Sequence, residues 1–226
     1  MKKHMKRIVG VLLLLGPLFL SAQRAKQDNG SHKQKRSIGF GLRAGLNFAN
    51  VTNASAINAS SRVGFNAGIF LAPSSKILGS KTELIYSRRG YNYSSDTTNG
   101  SVNLDYIALA QLMAIHITRY FEIDIGGQTA YLLHAKVDSN KQVVGNAQVN
   151  SLLSYYNRFD YGFGGGVEIH PIAGLLIGGR YNISLSNLYK QSYTTNSSGQ
   201  PQGFAPSSPS INFKNNVVQL YIGYRF

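Results

Sequence analysis

The chain has 226 residues, no cysteine, and 23 Lys and Arg against 9 Asp and Glu, for a formal charge of +14. Its length allows one domain, or one domain with a tail. The missing cysteines exclude disulfides, thiol catalysis, cysteine-based metal sites and a lipid-anchored N-terminal cysteine.

The chain opens on MKKHMKRIVGVLLLLGPLFLSAQ. Lys2, Lys3, Lys6 and Arg7 form a positive flank, Ile8 to Leu20 a short apolar run, and Ser21 and Ala22 a small-residue exit. That run is short for a spanning helix and has the order of a cleaved export signal. The expected cut follows Ala22, with Gln23 as the runner-up, so that residues 1–22 are signal peptide. Residues 23–36 carry Arg24, Lys26, Lys33, Lys35 and Arg36 without apolar period and read as a basic periplasmic linker. An exported basic chain meets acidic lipid surfaces rather than nucleic acid, so no nucleic-acid partner is expected.

From residue 37 to 226 the pattern is alternating. SIGFGLRAGLNF places Ile38, Phe40, Leu42, Ala44, Leu46 and Phe48 on one face and Arg43 and Asn47 on the other. RVGFNAGIFLA repeats it with Val63, Phe65, Ala67, Ile69 and Leu71. In KTELIYSRRGYNY, Leu84 and Tyr86 oppose Glu83, Ser87 and Arg89. A fourth strand runs from Val102 to about Ile117, its larger apolar residues (Ile107, Leu109, Met113, Ile115) on one parity and alanines on the other. FEIDIGGQTAYLLHA sets Phe121, Ile123, Ile125, Tyr131 and Leu133 against Glu122, Asp124, Gln128 and His134. YNRFDYGFGGGVEIH sets Phe159, Tyr161, Phe163, Val167 and Ile169 against Arg158, Asp160, Glu168 and His170. LLIGGRYNISLSN sets Leu175, Ile177, Tyr181, Ile183 and Leu185 against Arg180, Asn182 and Ser184. The closing VVQLYIGYRF sets Val218, Leu220, Ile222, Tyr224 and Phe226 against Gln219, Gly223 and Arg225.

About eight strands follow, each near the ~9–11 residues that cross a bilayer at a tilt. Their connections alternate between long polar segments (50–61, 94–101, 137–154, 188–212) and tight turns (73–79, 119–120, 170–174). Outer-membrane barrels have that asymmetry, long loops outside and short turns in the periplasm. The polar face decides between this and a soluble barrel. It is mostly Gly, Ser, Asn and Gln, with five bases (Arg43, Arg89, Arg158, Arg180, Arg225) and five acids (Glu83, Glu122, Asp124, Asp160, Glu168). A balanced set suits an enclosed lumen, where unmatched charge is expensive. The apolar face is aliphatic and aromatic all round, as lipid requires. Tyr86, Tyr91, Tyr93, Tyr155, Tyr161, Tyr181 and Tyr189 lie towards strand ends and are expected in interfacial girdles. The fold expected is therefore all-β, an eight-stranded antiparallel up-and-down transmembrane β-barrel after a cleaved signal peptide.

The stretches GLRAGLNFANV, ELIYSRRGYNY, LDYIALAQLM, GGQTAYLLHAK, FDYGFGGGVEI, GGRYNISLSNLY and VVQLYIGYRF, in that order, resemble the PorT-like outer-membrane β-barrel proteins of the Bacteroidetes. The resemblance runs from Ile38 to Phe226. It implies an eight-stranded barrel in the cell outer membrane without a known catalytic site, and an accessory role in a secretion system as one reading. The closing aromatics Tyr224 and Phe226 also resemble the signal that outer-membrane assembly machinery reads.

No cofactor motif stands out. Gly164-Gly165-Gly166 lacks the Gly-Lys-Ser/Thr of a phosphate loop, and tight lumen packing accounts for it better. No two histidines sit at ligand spacing with acids alongside, so no metal site is expected. His134 with Asp138 and Ser139 is the best candidate for a catalytic group, but no nucleophile signature accompanies it. The reading reached is a non-enzymatic structural or binding barrel with its N- and C-termini both periplasmic, in contact with outer-membrane lipid and lipopolysaccharide, assembly machinery and a protein partner. A lipid-modifying enzyme and a small pore are the alternatives.

Overall fold

The computed structural model describes residues 38–52, 59–73, 77–95, 98–139, 153, 156–189 and 213–226. The expected signal peptide, the basic linker, Tyr155 and most of the long connections lie outside the described residues. Eight strands follow in order: β1 (Ile38–Thr52), β2 (Ser60–Pro73), β3 (Leu78–Ser95), β4 (Thr98–His116), β5 (Phe121–Ser139), β6 (Phe159–Ile169), β7 (Leu175–Ser184) and β8 (Lys214–Arg225). Each pairs antiparallel with the next, and β8 pairs with β1, so the sheet closes with no free edge. The seam is in register, with Ala44 opposite Ile222 and Leu46 opposite Leu220. An even strand number brings the start of β1 and the finish of β8 to one end of the barrel, here termed the terminal end. The other is the loop end.

Alternation sorts the side chains as expected. Leu42, Leu46, Phe65, Ile69, Ile125, Phe163, Ile177, Leu220 and Ile222 are exposed on the outer wall, while Arg43, Asn47, Glu83, Asp124, Glu168, Arg180 and Gln219 are buried inside. A wall so apolar is matched to hydrocarbon rather than to water. Inward glycines make room for the large residues beside them. A Cβ on Gly178 would come within 2.5 Å of the Tyr221 ring, and one on Gly164 within 2.2 Å of Asn182 Oδ1. A Cβ on Gly165, on the outward parity, would meet only the Asp124 carbonyl oxygen at 3.8 Å, an ordinary contact. The lumen-packing reading of the triple glycine therefore holds for Gly164 and Gly166, its inward members.

Two expectations change. The segment 94–101 is not a long loop: Ser94 pairs with Asn99 and Ser95 with Thr98, leaving two residues between β3 and β4. Polar composition suggested a loop, but a ribbon satisfies its backbone whatever its side chains. Secondly, β3, β4 and β5 run to 18 and 19 residues against 10 and 11 for β7 and β6. At about 3.3 Å per residue, the long strands reach about 60 Å. Even tilted near 45°, they overshoot a hydrocarbon layer of about 30 Å. One wall of the barrel thus stands above the others at the loop end.

Candidate functional site

Inside a closed eight-stranded wall there is just room for side chains, and the centre of this lumen is filled by ions. Glu83, on β3, receives Arg180 from β7 on the opposite wall, with Nη1 at 2.6 Å from Oε2 and Nη2 at 2.9 Å from Oε1. Arg43, on β1, donates to the same Oε2 at 2.8 Å. Arg180 Nη2 also reaches Asp124 Oδ2 on β5 at 3.2 Å. Lys81, on β3 below Glu83, binds Glu122, Asp124 at 3.0 Å and Glu168 at 2.8 Å. The Tyr221 ring lies 3.4 Å from the Arg43 guanidinium carbon, and its hydroxyl donates to Glu168 Oε1 at 2.8 Å. Six strands, β1, β3, β5, β6, β7 and β8, are tied across the bore by groups that are almost wholly enclosed.

Above this layer, an amide and hydroxyl set takes over. Asn47 Nδ2 donates to Ser87 Oγ at 2.9 Å, and its Oδ1 accepts from Asn66 at 2.8 Å and Gln219 at 3.1 Å. Arg89 then bridges β3 to Asp160 on β6 at 3.2 Å, with Ser184 and Ser186 completing the carboxylate. Nearer the loop end the lumen turns apolar. Tyr91, Tyr93, Val102, Leu104, Tyr106, Leu132, Tyr156, Leu188, Tyr189 and Phe213 form one buried cluster. The Tyr91 and Tyr189 hydroxyls bond each other, and that of Tyr156 lies 3.4 Å from Tyr189, so these three polar tips meet inside the plug.

The terminal mouth is different again. His116, ending β4, places Nε2 2.9 Å from Glu122 Oε2. His170, just after β6, places Nε2 3.7 Å from both Glu122 Oε2 and Glu168 Oε2. A cavity of about 10 Å³, the room of a single water, lies among Lys81, His116, Glu122, Glu168 and His170. It adjoins a vestibule of about 310 Å³ lined by His116, Arg119, Tyr120, His170 and Arg225, among others.

Of the ten charged residues picked from the sequence, the central layer joins Arg43, Glu83, Glu122, Asp124, Glu168 and Arg180, and a second pair joins Arg89 to Asp160. Arg225 is half-buried at the terminal mouth. Arg158 is outside: it is exposed, with its guanidinium carbon 4.9 Å from the centre of the outward Tyr131 ring. It precedes β6, so strand parity does not bind it. Lys81 and Tyr221 were missed, although each shares its neighbours' inward parity and could have been read from it. His116 and His170 come together through topology alone, and no sequence spacing signals that.

Three expected girdle tyrosines are corrected. Tyr91, Tyr93 and Tyr189 are buried inside the barrel, whereas Tyr161 and Tyr181 are exposed on the wall. Tyr91 and Tyr93 share the parity of Glu83 and Arg89, and parity overrules nearness to a strand end. His134 moves the other way. Asp105 pairs with His134 but Tyr106 with Leu132, so Leu133 is an extra residue that turns His134 outward. Asp138 lies in β5 rather than in a loop and pairs with Lys136 at 3.0 Å. Phe226 is exposed and stacks on Phe40 across the seam at 6.1 Å, beside Tyr224 at 5.2 Å.

Comparison with known proteins agrees with this architecture. Residues 22–190, most of the chain, match the family described as outer membrane protein beta-barrel domain. The protein belongs to that family, and its barrel is an outer-membrane one. Among solved structures it is similar to Neisserial surface protein A, at 14% identity and a TM-score of 0.50, over 83% of this chain and 97% of that one. It is also similar to Ail, the attachment invasion locus protein of Yersinia pestis, at 14% identity and a TM-score of 0.47, over 84% of this chain and 99% of that one. No curated protein matches the sequence.

Glu83 is the one anion between two guanidiniums, so Glu83→Gln leaves Arg43 and Arg180 facing each other in an enclosed space. Breaking a buried pair in this way costs about 3–5 kcal/mol. Urea unfolding of the micelle-bound barrel should show the midpoint fall accordingly, with part regained in Glu83→Gln/Arg43→Gln. An unchanged midpoint for the single variant would mean that this layer does not hold the barrel.

Proposed function

We propose that this protein is a non-enzymatic, PorT-like outer-membrane barrel that works through its two rims rather than through its bore, presenting loops on one side and docking a protein partner on the other or within the membrane. The observation that carries this is the filling of the lumen at successive levels: the Glu83–Arg180 bridge spans opposite walls, Arg89–Asp160 crosses above it, and the tyrosine cluster caps both. Transport would have to break several enclosed ion pairs at once.

The pore reading is therefore the weaker one. The lipid-enzyme reading needs a histidine, an acid and a nucleophile converging near one rim. His134 and Asp138 are four residues apart on one strand, about 13 Å along it, and the acid is already paired with Lys136. The accessory role in protein secretion rests on the PorT resemblance alone. The terminal end is assigned to the periplasm because three long connections, after β1, β5 and β7, leave the opposite end. Phe226 is assigned to assembly: the residue is 70% exposed at the terminal end, so it adds little to the finished barrel while remaining available to a receptor.

Three measurements test the reading. In planar bilayers the purified barrel should give no large, stable conductance, and long-lived open channels would reinstate the pore. Because the chain has no cysteine, single replacements report topology cleanly. A membrane-impermeant maleimide added to whole cells should label Thr52→Cys and leave Arg119→Cys untouched, and the reverse pattern would invert the orientation. Deleting Phe226 should slow insertion in a pulse-chase while leaving the urea midpoint of whatever inserts nearly unchanged. Insertion at the normal rate would remove the assembly role.

A further inference from the structure

We propose that the terminal mouth of the barrel holds a divalent first-row metal ion of the zinc class, with His170 Nε2, Glu122 Oε2 and Glu168 Oε2 as its protein ligands. Nothing in the barrel fold requires such a site. It follows from three elements meeting at one rim: the start of β5, the finish of β6 and the turn that follows β6.

The geometry is that of a coordination shell rather than of an ion pair. Ligand atoms around a tetrahedral zinc, each at about 2.0–2.2 Å from the ion, stand about 3.4 Å from one another. The His170 nitrogen is 3.7 Å from each of the two carboxylate oxygens. That is too long for a hydrogen bond and near the edge of such a tetrahedron. All three residues offer ligand atoms within 4.8 Å of one another. His170 Nε2 is also shielded from solvent without a hydrogen-bond partner, which is costly for an imidazole nitrogen unless something binds it.

The surroundings do what outer groups do around a metal: they fix each ligand. Glu122 is held by Lys81 on Oε1 and by His116 on Oε2. Glu168 is held by Tyr221 on Oε1 and by Lys81 on Oε2. Lys81 approaches both carboxylates from the lumen side, and the imidazoles approach from the mouth. Charge points the same way. Among the described residues the buried ionic groups are Arg43, Lys81, Arg89 and Arg180 against Glu83, Glu122, Asp124, Asp160 and Glu168, one anion in excess, with Arg225 half-buried at the mouth beyond them. At the cluster itself the one ammonium of Lys81 is shared by Glu122, Asp124 and Glu168, so a divalent ion there meets a local excess of carboxylates. The cavity of about 10 Å³ fits one small ion or water, and the adjoining vestibule supplies the path by which it enters.

The test uses the full chain, folded in detergent and free of any polyhistidine tag. Titration with Co²⁺ should give saturable visible d–d bands at one equivalent, and Zn²⁺ should displace them one for one. His170→Asn and Glu168→Gln should each weaken binding at least about tenfold, with a smaller loss for His116→Asn, whose imidazole positions Glu122. His134→Asn, on the outer wall, should bind as the parent does. His170 takes no part in the cross-lumen bridges, so His170→Asn keeps the heat-modifiable migration of a folded barrel. Zinc should also raise the unfolding temperature of the parent and not that of His170→Asn. The proposal is overturned if the parent shows no saturable one-to-one binding, or if His170→Asn and Glu168→Gln bind as tightly as it does.

Discussion

A narrow closed barrel must fill its bore, and whatever fills it must lose its water. That constraint is met here by one carboxylate, Glu83, gripped by two guanidiniums that arrive from different walls. Enclosed charges are tolerable only when neutralised and hydrogen-bonded, so each ion in the layer carries more than one partner. Arg180 reaches Asp124 as well as Glu83, and Lys81 reaches three acids. Such a network is cooperative by construction, since a missing member strands its neighbours. It also sets the bore's occupancy: glycines 166 and 178 lie where Arg180 and Tyr221 need the space.

The outer wall meets the opposite requirement, and one residue shows how strictly. Gln111 lies on the outward parity of β4, between Leu109 and Met113, where an amide would face hydrocarbon. Its Oε1 accepts from Thr82 at 2.7 Å and its Nε2 donates to Ser80 at 2.8 Å, both on the adjacent β3. A polar group in the apolar belt is thus closed off by its neighbours rather than left to lipid. Towards the loop end the belt gives way to an outward polar band. Arg88 pairs with Asp105 at 2.7 Å, and Arg62 with Asn103 at 2.8 Å. These pairs are solvated enough to add little stability; what they mark is the level at which hydrocarbon stops.

Period-2 patterning was enough to read the closed barrel, its strand number and the facing of nearly every strand, because burial in two solvents writes itself into alternate residues. Side chains depart from that pattern where the strand is bulged or where another signal competes with parity. Nearness to a strand end suggests girdle positions for Tyr91 and Tyr93, but their parity points inward. His134 obeyed parity until the bulge at Leu133, which no composition announces. The β3–β4 hairpin looked like a loop because its residues are polar, yet its pairing needs nothing of their side chains. The meeting of His116 and His170 with Glu122 and Glu168 was illegible for a deeper reason. Their proximity depends on which strand ends share a rim, a property of the closed sheet and not of any segment.

The chemistry of the lumen changes along its length, ionic towards the terminal end and aromatic towards the loops, and this gradient bears on how the rims can act. The aromatic cluster is not built from strands alone. Tyr156, Leu188, Tyr189 and Phe213 come from the connections that follow β5 and β7, and Tyr156 pairs with Tyr189 as an isolated bridge. Leu188 N donates to Phe213 O at 2.8 Å, and Asn157 Nδ2 to the Asn187 carbonyl at 2.6 Å. The roots of both connections are therefore sewn to each other and packed against the tall β3–β5 wall. A surface that starts from fixed roots loses less conformational freedom on meeting a partner than one hung from free ends. The cluster that fills this part of the bore is in this way also what anchors the described roots of two loop-end connections, so that packing of the lumen and fixing of those roots are one structural fact.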